Sequence, residues 1–277
     1  MAPLCIIALL FFTSLLFAQS PSSGDDYQPL LFQEGKDVVW VPTEYKLAEK
    51  MLNLAQVTSK DYVIDLGSGD GRIVIEAAKR GANALGIEYN PDLVALSRRN
   101  ALKEGVADKA QFIQGDIFES DFSKATVLTM FLLPELNFRL RPIILEMKPG
   151  VRVASNSFDM GDWFPDAKVS ITEEEGCTEF FCEAFFWVVP AKIEGVWKMP
   201  KGRVVFRQRY QNFKGELKDG ADKKPVKDGL LVGNMISFRI GDATYKGMVD
   251  GKRMQGSFTK KGKDYKWHAA RIGGIPE

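Results

Sequence analysis

The chain has 277 residues, a formal net charge of +1 and 45% apolar residues, enough for one large domain and a smaller one with real cores. One histidine and three cysteines exclude histidine triads, His-rich zinc sites and paired-Cys metal sites, so no metal is expected. The neutral total hides a split: residues 191–277 hold 20 Lys+Arg against 9 Asp+Glu, leaving 17 against 27 in residues 1–190. An acidic body and a basic tail predict a two-part object with its seam near residue 190.

Residues 1–19 read as a signal peptide. The apolar run Leu4–Phe17 leads to Ala18, a small residue for cleavage before Gln19, although no Lys or Arg precedes it. The run is shorter than the roughly 20 residues that span a bilayer. The expected localisation is therefore export, periplasmic or secreted, with a membrane-anchored form as the alternative. Residues 20–38 read as a flexible leader. Thr43 is placed to cap a helix carrying Leu47, Met51, Leu52 and Leu54 on one face.

From Asp61 the chain alternates apolar runs with helical patterns. "YVIDLG", "ALGIEY", "AQFIQGD", "TVLTMF" and "VRVASNSF" read as strands. "DGRIVIEAAKRG", a segment opened by Pro91, and "PELNFRLRPIILEMKPG" read as helices between them. This pattern predicts an α/β, doubly wound, mostly parallel sheet over residues 39–190, closed by an antiparallel edge pair near 168–172 and 180–189. Cys177 and Cys182 fall in that pair and either bridge or serve as two small buried side chains. Past Pro190 glycines recur and short alternating segments replace helices, which predicts a small basic all-β domain over 191–277, a meander of hairpins.

The chemistry gathers at the first strand. Gly67, Gly69 and Gly71 follow it and open a helix, so backbone can approach a ligand and helix N–H groups face it. A dinucleotide site wants its third glycine at the position held here by Arg72, which argues against a nicotinamide cofactor. Glu88 ends the second strand, where a carboxylate can accept from both hydroxyls of a ribose. Asp116 ends the third. With Asp65, three acidic residues meet one crevice.

An acidic residue before Gly-x-Gly-x-Gly, an acidic residue after the second strand and Gly-Asp after the third resemble the class I S-adenosylmethionine-dependent methyltransferases. The resemblance covers Val39 to Pro190. More narrowly, "VWVPT", "DLGSGDGRIVIEAA", "FLLPELN", "MKPG", "VRVAS" and "FDMGDW" are similar to the mitochondrial lysine methyltransferases of inner-membrane proteins and their exported bacterial relatives. It implies S-adenosylmethionine as cofactor. It also implies a methionine-moiety pocket shaped by Asp65, Gly67, Ser68, Gly69 and Gly71, a ribose held by Glu88, and an adenine flanked by Asp116 and Ile117. Met130 to Pro134 would line the floor where the methyl group meets its acceptor.

Methyl transfer to an amine needs alignment and a group that helps remove a proton. Glu135 and Asn137 are the candidates, followed by Asp159 and Asp162. Trp40, Pro42, Thr43 and Tyr45 either close over the cofactor or pack on the sheet. The expected acceptor is a protein lysine amine, with a small molecule as the alternative. A non-catalytic exported binding protein on the same fold is the third reading. The basic β domain either docks an anionic surface or turns its lysines to solvent with no partner; nucleic acid is the less favoured partner.

Overall fold

The computed structural model describes residues 27–177 and 180–275. The expected signal segment lies outside these residues. Five parallel strands build the sheet: β1 (Tyr62–Leu66), β2 (Asn83–Glu88), β3 (Ala110–Gln114), β4 (Val127–Met130) and β5 (Arg152–Asn156). Two antiparallel strands, β6 (Ala167–Ser170) and β7 (Glu183–Val188), complete it in the order β3-β2-β1-β4-β5-β7-β6. All four positions of β4 are buried, as a strand covered on both faces requires. Helices α1 (Tyr45–Leu54), α2 (Arg72–Lys79) and α3 (Pro91–Lys103) pack on one face with Val63, Val127 and Ala154. Helix α4 (Pro134–Leu145) covers the other, with Leu136, Leu140 and Ile144 against Ile64, Leu128 and Val153. The strand order reverses between β1 and β4, which opens a crevice at their carboxyl ends.

One local expectation changes, and one open alternative is decided. Thr43 does not cap α1; Glu44 holds that position without a side-chain cap. The Thr43 hydroxyl instead accepts from Asn156 Nδ2 at 3.1 Å, and its carbonyl accepts from Arg72 Nη1 at 2.7 Å. Buried tertiary partners outweigh a local cap. Cys177 and Cys182 form a disulfide just ahead of β7.

The C-terminal domain is the expected meander of hairpins, closed into an eight-strand antiparallel barrel. Its strands are β8 (Gly195–Lys198), β9 (Arg203–Arg209), β10 (Asn212–Asp219), β11 (Asp222–Val232), β12 (Met235–Ile240), β13 (Ala243–Asp250), β14 (Arg253–Lys260) and β15 (Lys263–Gly273). Closure comes from β8, which pairs with β9 on one side and with β15 on the other. Trp197, Phe206, Phe213, Phe238 and Trp267 fill the interior. The barrel meets the sheet domain through Tyr210, which stacks on buried Trp163 with ring centroids 6.0 Å apart. Tyr210 Oη donates to Asp162 Oδ1 at 2.9 Å, and Arg209 Nη2 donates to Asp162 Oδ2 at 2.9 Å. These two bonds hold the Asp162 carboxyl down at about 2.

Candidate functional site: a glycine-lined crevice

The turn after β1 is built on left-handed backbone. Gly67, Gly69 and Gly71 have φ of 77°, 53° and 85°, values that side chains other than glycine rarely tolerate. A Cβ on Gly69 would stand 2.9 Å from Trp40 Nε1, and one on Gly67 would stand 3.1 Å from Leu132 Cδ2. The two glycines thus keep the crevice open beneath an indole lid. Glu88 is braced at the tip of β2: Oε2 accepts from Gly69 N and Oε1 from Asn90 N, each at 2.9 Å.

The crevice is lined by Asp65, Gly67, Ser68, Gly69, Glu88, Asp116 and Ile117 together. Gly71 is not part of the lining; a Cβ there would meet Phe112 Cζ at 2.7 Å and Ser97 Cβ at 2.8 Å. Its work is to let α2 start against β3 and α3. Ser68 contributes to the wall while its side chain turns to Gly86, where a Cβ would fall 2.4 Å from Ser68 Oγ.

Asp65 is 3% exposed and accepts from Thr129 Oγ1 at 2.7 Å. Burial pushes its carboxyl up to about 7, outweighing the Thr129 bond that lowers it, and the charges of Glu88 and Asp70 add to the rise. A carboxyl held in this way is poised to take a buried cation as partner. Asp116 pairs with Lys36, accepts from Phe118 N at 2.8 Å, and is held below the usual carboxylate range by both. Lys36 also lies 4.9 Å above the Tyr89 ring, so the segment before α1 straps the Asp116 end of the crevice.

Trp40, Pro42 and Thr43 line the crevice too, while Tyr45 is 70% exposed and stacks on Arg72 outside it. Sequence reasoning missed Lys36, Asp70 and Arg72. Only the fold brings Lys36 to Asp116, 80 residues away. The Asp70–Arg72 pair, with Nη2 to Oδ2 at 2.6 Å, stiffens the glycine turn. Glu135 and Asn137 do not join the lining. Glu135 is exposed in the first turn of α4. Asn137 is fully buried, its Nδ2 donating to Phe158 O, Asp159 O and Ser155 Oγ at 3.1–3.2 Å. Asp159 accepts from Gly161 N, and Asp162 serves the barrel contact. None of the four faces the crevice.

A crevice at a topological switch point, with a carboxylate at the tip of β2 and no third dinucleotide glycine, defines a class I methyltransferase. The residues fit S-adenosylmethionine: open glycine turns beside Asp65 for an ammonium group, Glu88 for a ribose, Asp116 and Ile117 for an adenine. Comparison with known proteins agrees. Residues 65–167 match the ANTKMT methyltransferase domain. A protein-lysine N-methyltransferase of Saccharolobus islandicus is 42% identical over 139 residues, which are 49% of this chain and 86% of that one. The adenine nucleotide translocase lysine N-methyltransferase of Mus musculus is 35% identical over 109 residues, 39% of this chain and 48% of the relative. The match thus spans about half the length of that mouse protein. Among solved structures, an RNA methyltransferase from Salinibacter ruber in complex with S-adenosyl-L-homocysteine aligns with TM-score 0.51 and 48% identity, covering 55% of this chain and 96% of that one. The chain belongs to the S-adenosylmethionine-dependent methyltransferase family that contains these lysine N-methyltransferases.

Proposed function

We propose that the enzyme methylates a protein lysine amine. One observation carries the reading: a contiguous aromatic rim beside the crevice, an apolar face along which the aliphatic part of a lysine can lie. Phe131 follows β4, Phe158 follows β5 and Phe181 precedes β7, so all three stand at the carboxyl edge of the sheet. Their ring centroids are 5.2–6.3 Å apart, and Phe131 itself lines the crevice. Phe181 sits at φ 61°, a costly backbone for an aromatic residue. It is held there beside the Cys177–Cys182 bridge. The lysine methyltransferase relatives support the same acceptor.

When bound, S-adenosylmethionine supplies an activated methyl group on a sulfonium and a neutral leaving group. The chain's own part is alignment and dehydration. Asp65 and Glu88 orient the two ends of the cofactor, and Leu132 and Phe131 keep water from the transfer path. The aromatic rim strips water from an entering ammonium, which favours its neutral, nucleophilic form. No carboxylate beyond those of the crevice is needed for that effect.

The solved RNA methyltransferase favours a second acceptor, since Phe180, 69% exposed at the rim, is placed to stack on a base. Incubating the protein with radiolabelled cofactor, lysine-bearing protein extract and total RNA separates the readings. Label on lysine after acid hydrolysis is expected, and Phe158→Ala should reduce it by about tenfold through lost alignment. Label in RNA alone would overturn the proposal.

Export and an anionic docking surface on residues 191–277 belong to the same proposal. The Cys177–Cys182 bridge supports export, because disulfides persist in oxidising compartments. Mass spectrometry of the natural protein should find an N-terminus near Gln19; an intact Met1 in a reducing compartment would count against export.

A further inference from the structure

Strand register sorts the outer wall of the barrel into rows. Lys198 pairs with Arg203, Arg203 with Lys218, and Lys218 with Lys223, so four exposed cations lie side by side across β8–β11. A second row places Arg207 beside Lys214, and Lys227 beside Arg239 across the β11 bulge. Like charges directly opposite one another destabilise a sheet, and here the arrangement recurs. Few carboxylates interrupt it. Glu216 lies 3.8 Å from Lys218, Asp228 pairs with Arg239, and Asp219 faces Asp222 at the β10–β11 turn.

Beside the second row, and on the far side of it from the first, the wall of β11–β13 turns apolar. Val232 pairs with Met235 and Met235 with Met248, and Leu230 lies on the same face two residues earlier. All four are 41–51% exposed. Adjacent cations and exposed aliphatic or thioether side chains suit one kind of partner: an interface with negative headgroups above hydrocarbon. The aromatic residues of β9–β12 are unavailable for base stacking. Phe206, Phe213 and Phe238 point into the barrel, and Tyr210 is engaged with Trp163. A single-stranded nucleic acid would find charge here but no stacking platform.

We infer that the β10–β13 wall, where the second cationic row borders the apolar patch, docks the enzyme on an anionic lipid surface. The inference deepens the anionic-surface part of the reading above and is independent of the acceptor's identity. The cations meet lipid phosphates, which relieves their mutual repulsion, while Met235, Met248, Val232 and Leu230 settle among the headgroups.

Flotation of the full chain with vesicles tests this. Phosphatidylcholine vesicles containing phosphatidylglycerol should bind about tenfold or more better than phosphatidylcholine alone, with the difference screened by salt. The triple variant Lys214→Glu, Lys227→Glu, Arg239→Glu should lose that difference. Met235→Ser with Met248→Ser should weaken binding yet keep its salt dependence. An unchanged circular dichroism spectrum and melting curve show that the barrel of each variant is folded; if the triple variant fails, Lys214→Gln with Lys227→Gln replaces it. Equal binding to both vesicle types overturns the inference, because the apolar run Leu4–Phe17 would then account for it. Wild-type behaviour of the charge variants overturns it as well. Retention on heparin without vesicle binding would also overturn it, leaving a non-lipid polyanion as the partner.

Discussion

Asp65→Asn should weaken S-adenosylhomocysteine binding by about 10- to 100-fold at pH 8, the loss of one buried charge-assisted hydrogen bond. That penalty should shrink as the pH falls below 7. The ligand presents an ammonium group, and an ionised Asp65 is its natural partner in the crevice. In the free protein the carboxyl titrates near 7 because burial disfavours its charge. Below that pH wild-type Asp65 is protonated, and the amide variant resembles it. The stability of the free protein should move the opposite way. An acid whose folded pKa lies above its unfolded value stabilises the fold below the unfolded pKa, and that contribution is lost as pH rises through the folded one. The free enzyme should therefore lose up to about 4 kcal/mol between pH 4 and 7 from this group. Asp65→Asn should escape that loss and melt higher than wild type at pH 8 when no ligand is present. Calorimetric titration and thermal scans across pH 5–8 check both signs. An affinity ratio independent of pH would remove Asp65 from the cofactor site.

Gly71→Ala should lower the melting temperature of the sheet domain by about 10 °C, while surviving folded protein binds S-adenosylhomocysteine nearly as well. Two costs combine. Left-handed backbone with a Cβ costs about 1–2 kcal/mol. The new methyl would also stand under 3 Å from Phe112 and Ser97, which are 3% and 0% exposed. Overpacking against walls of this kind costs about 1–3 kcal/mol. At about 2–4 °C per kcal/mol for a domain of this size, the sum gives the predicted shift. Gly105→Ala is the control. It shares a positive φ of 68° but meets nothing within 4 Å, so only the backbone cost should appear. Equal shifts in the two variants would show that the contact with Phe112 and Ser97 is unimportant.

Much of the sheet domain is written in local pattern. Apolar runs bounded by glycine and acidic residues give β1, β2 and β3 their ends, and those ends carry Asp65, Glu88 and Asp116. Burial on both faces demands continuous apolar strands, and the right-handed crossover demands their parallel order. The three carboxylates that line the crevice therefore follow from sequence alone. The family resemblance rests on those same positions.

What lay beyond sequence depends on partners distant along the chain. Thr43 carries a capping signal, yet Asn156 and Arg72 claim it from 113 and 29 residues away. Asn137 follows the fourth strand as a catalytic residue would, but α4 turns it inward to the carbonyls of Phe158 and Asp159. Barrel closure rests on β8 meeting β15, and "GVWK" is too short to announce itself as the closing strand. β11 carries Pro225, Gly229 and a bulge, which break the alternation that marks a strand. The basic charge of residues 191–277 was legible from composition. Its arrangement into facing rows was not, because lateral register is a property of paired strands. Composition and period-two or helical patterning thus determined the two-part architecture and the carboxylates that line the crevice of this protein. Only long-range hydrogen bonding and strand pairing decided the aromatic rim, the strap of Lys36 on Asp116 and the cationic wall.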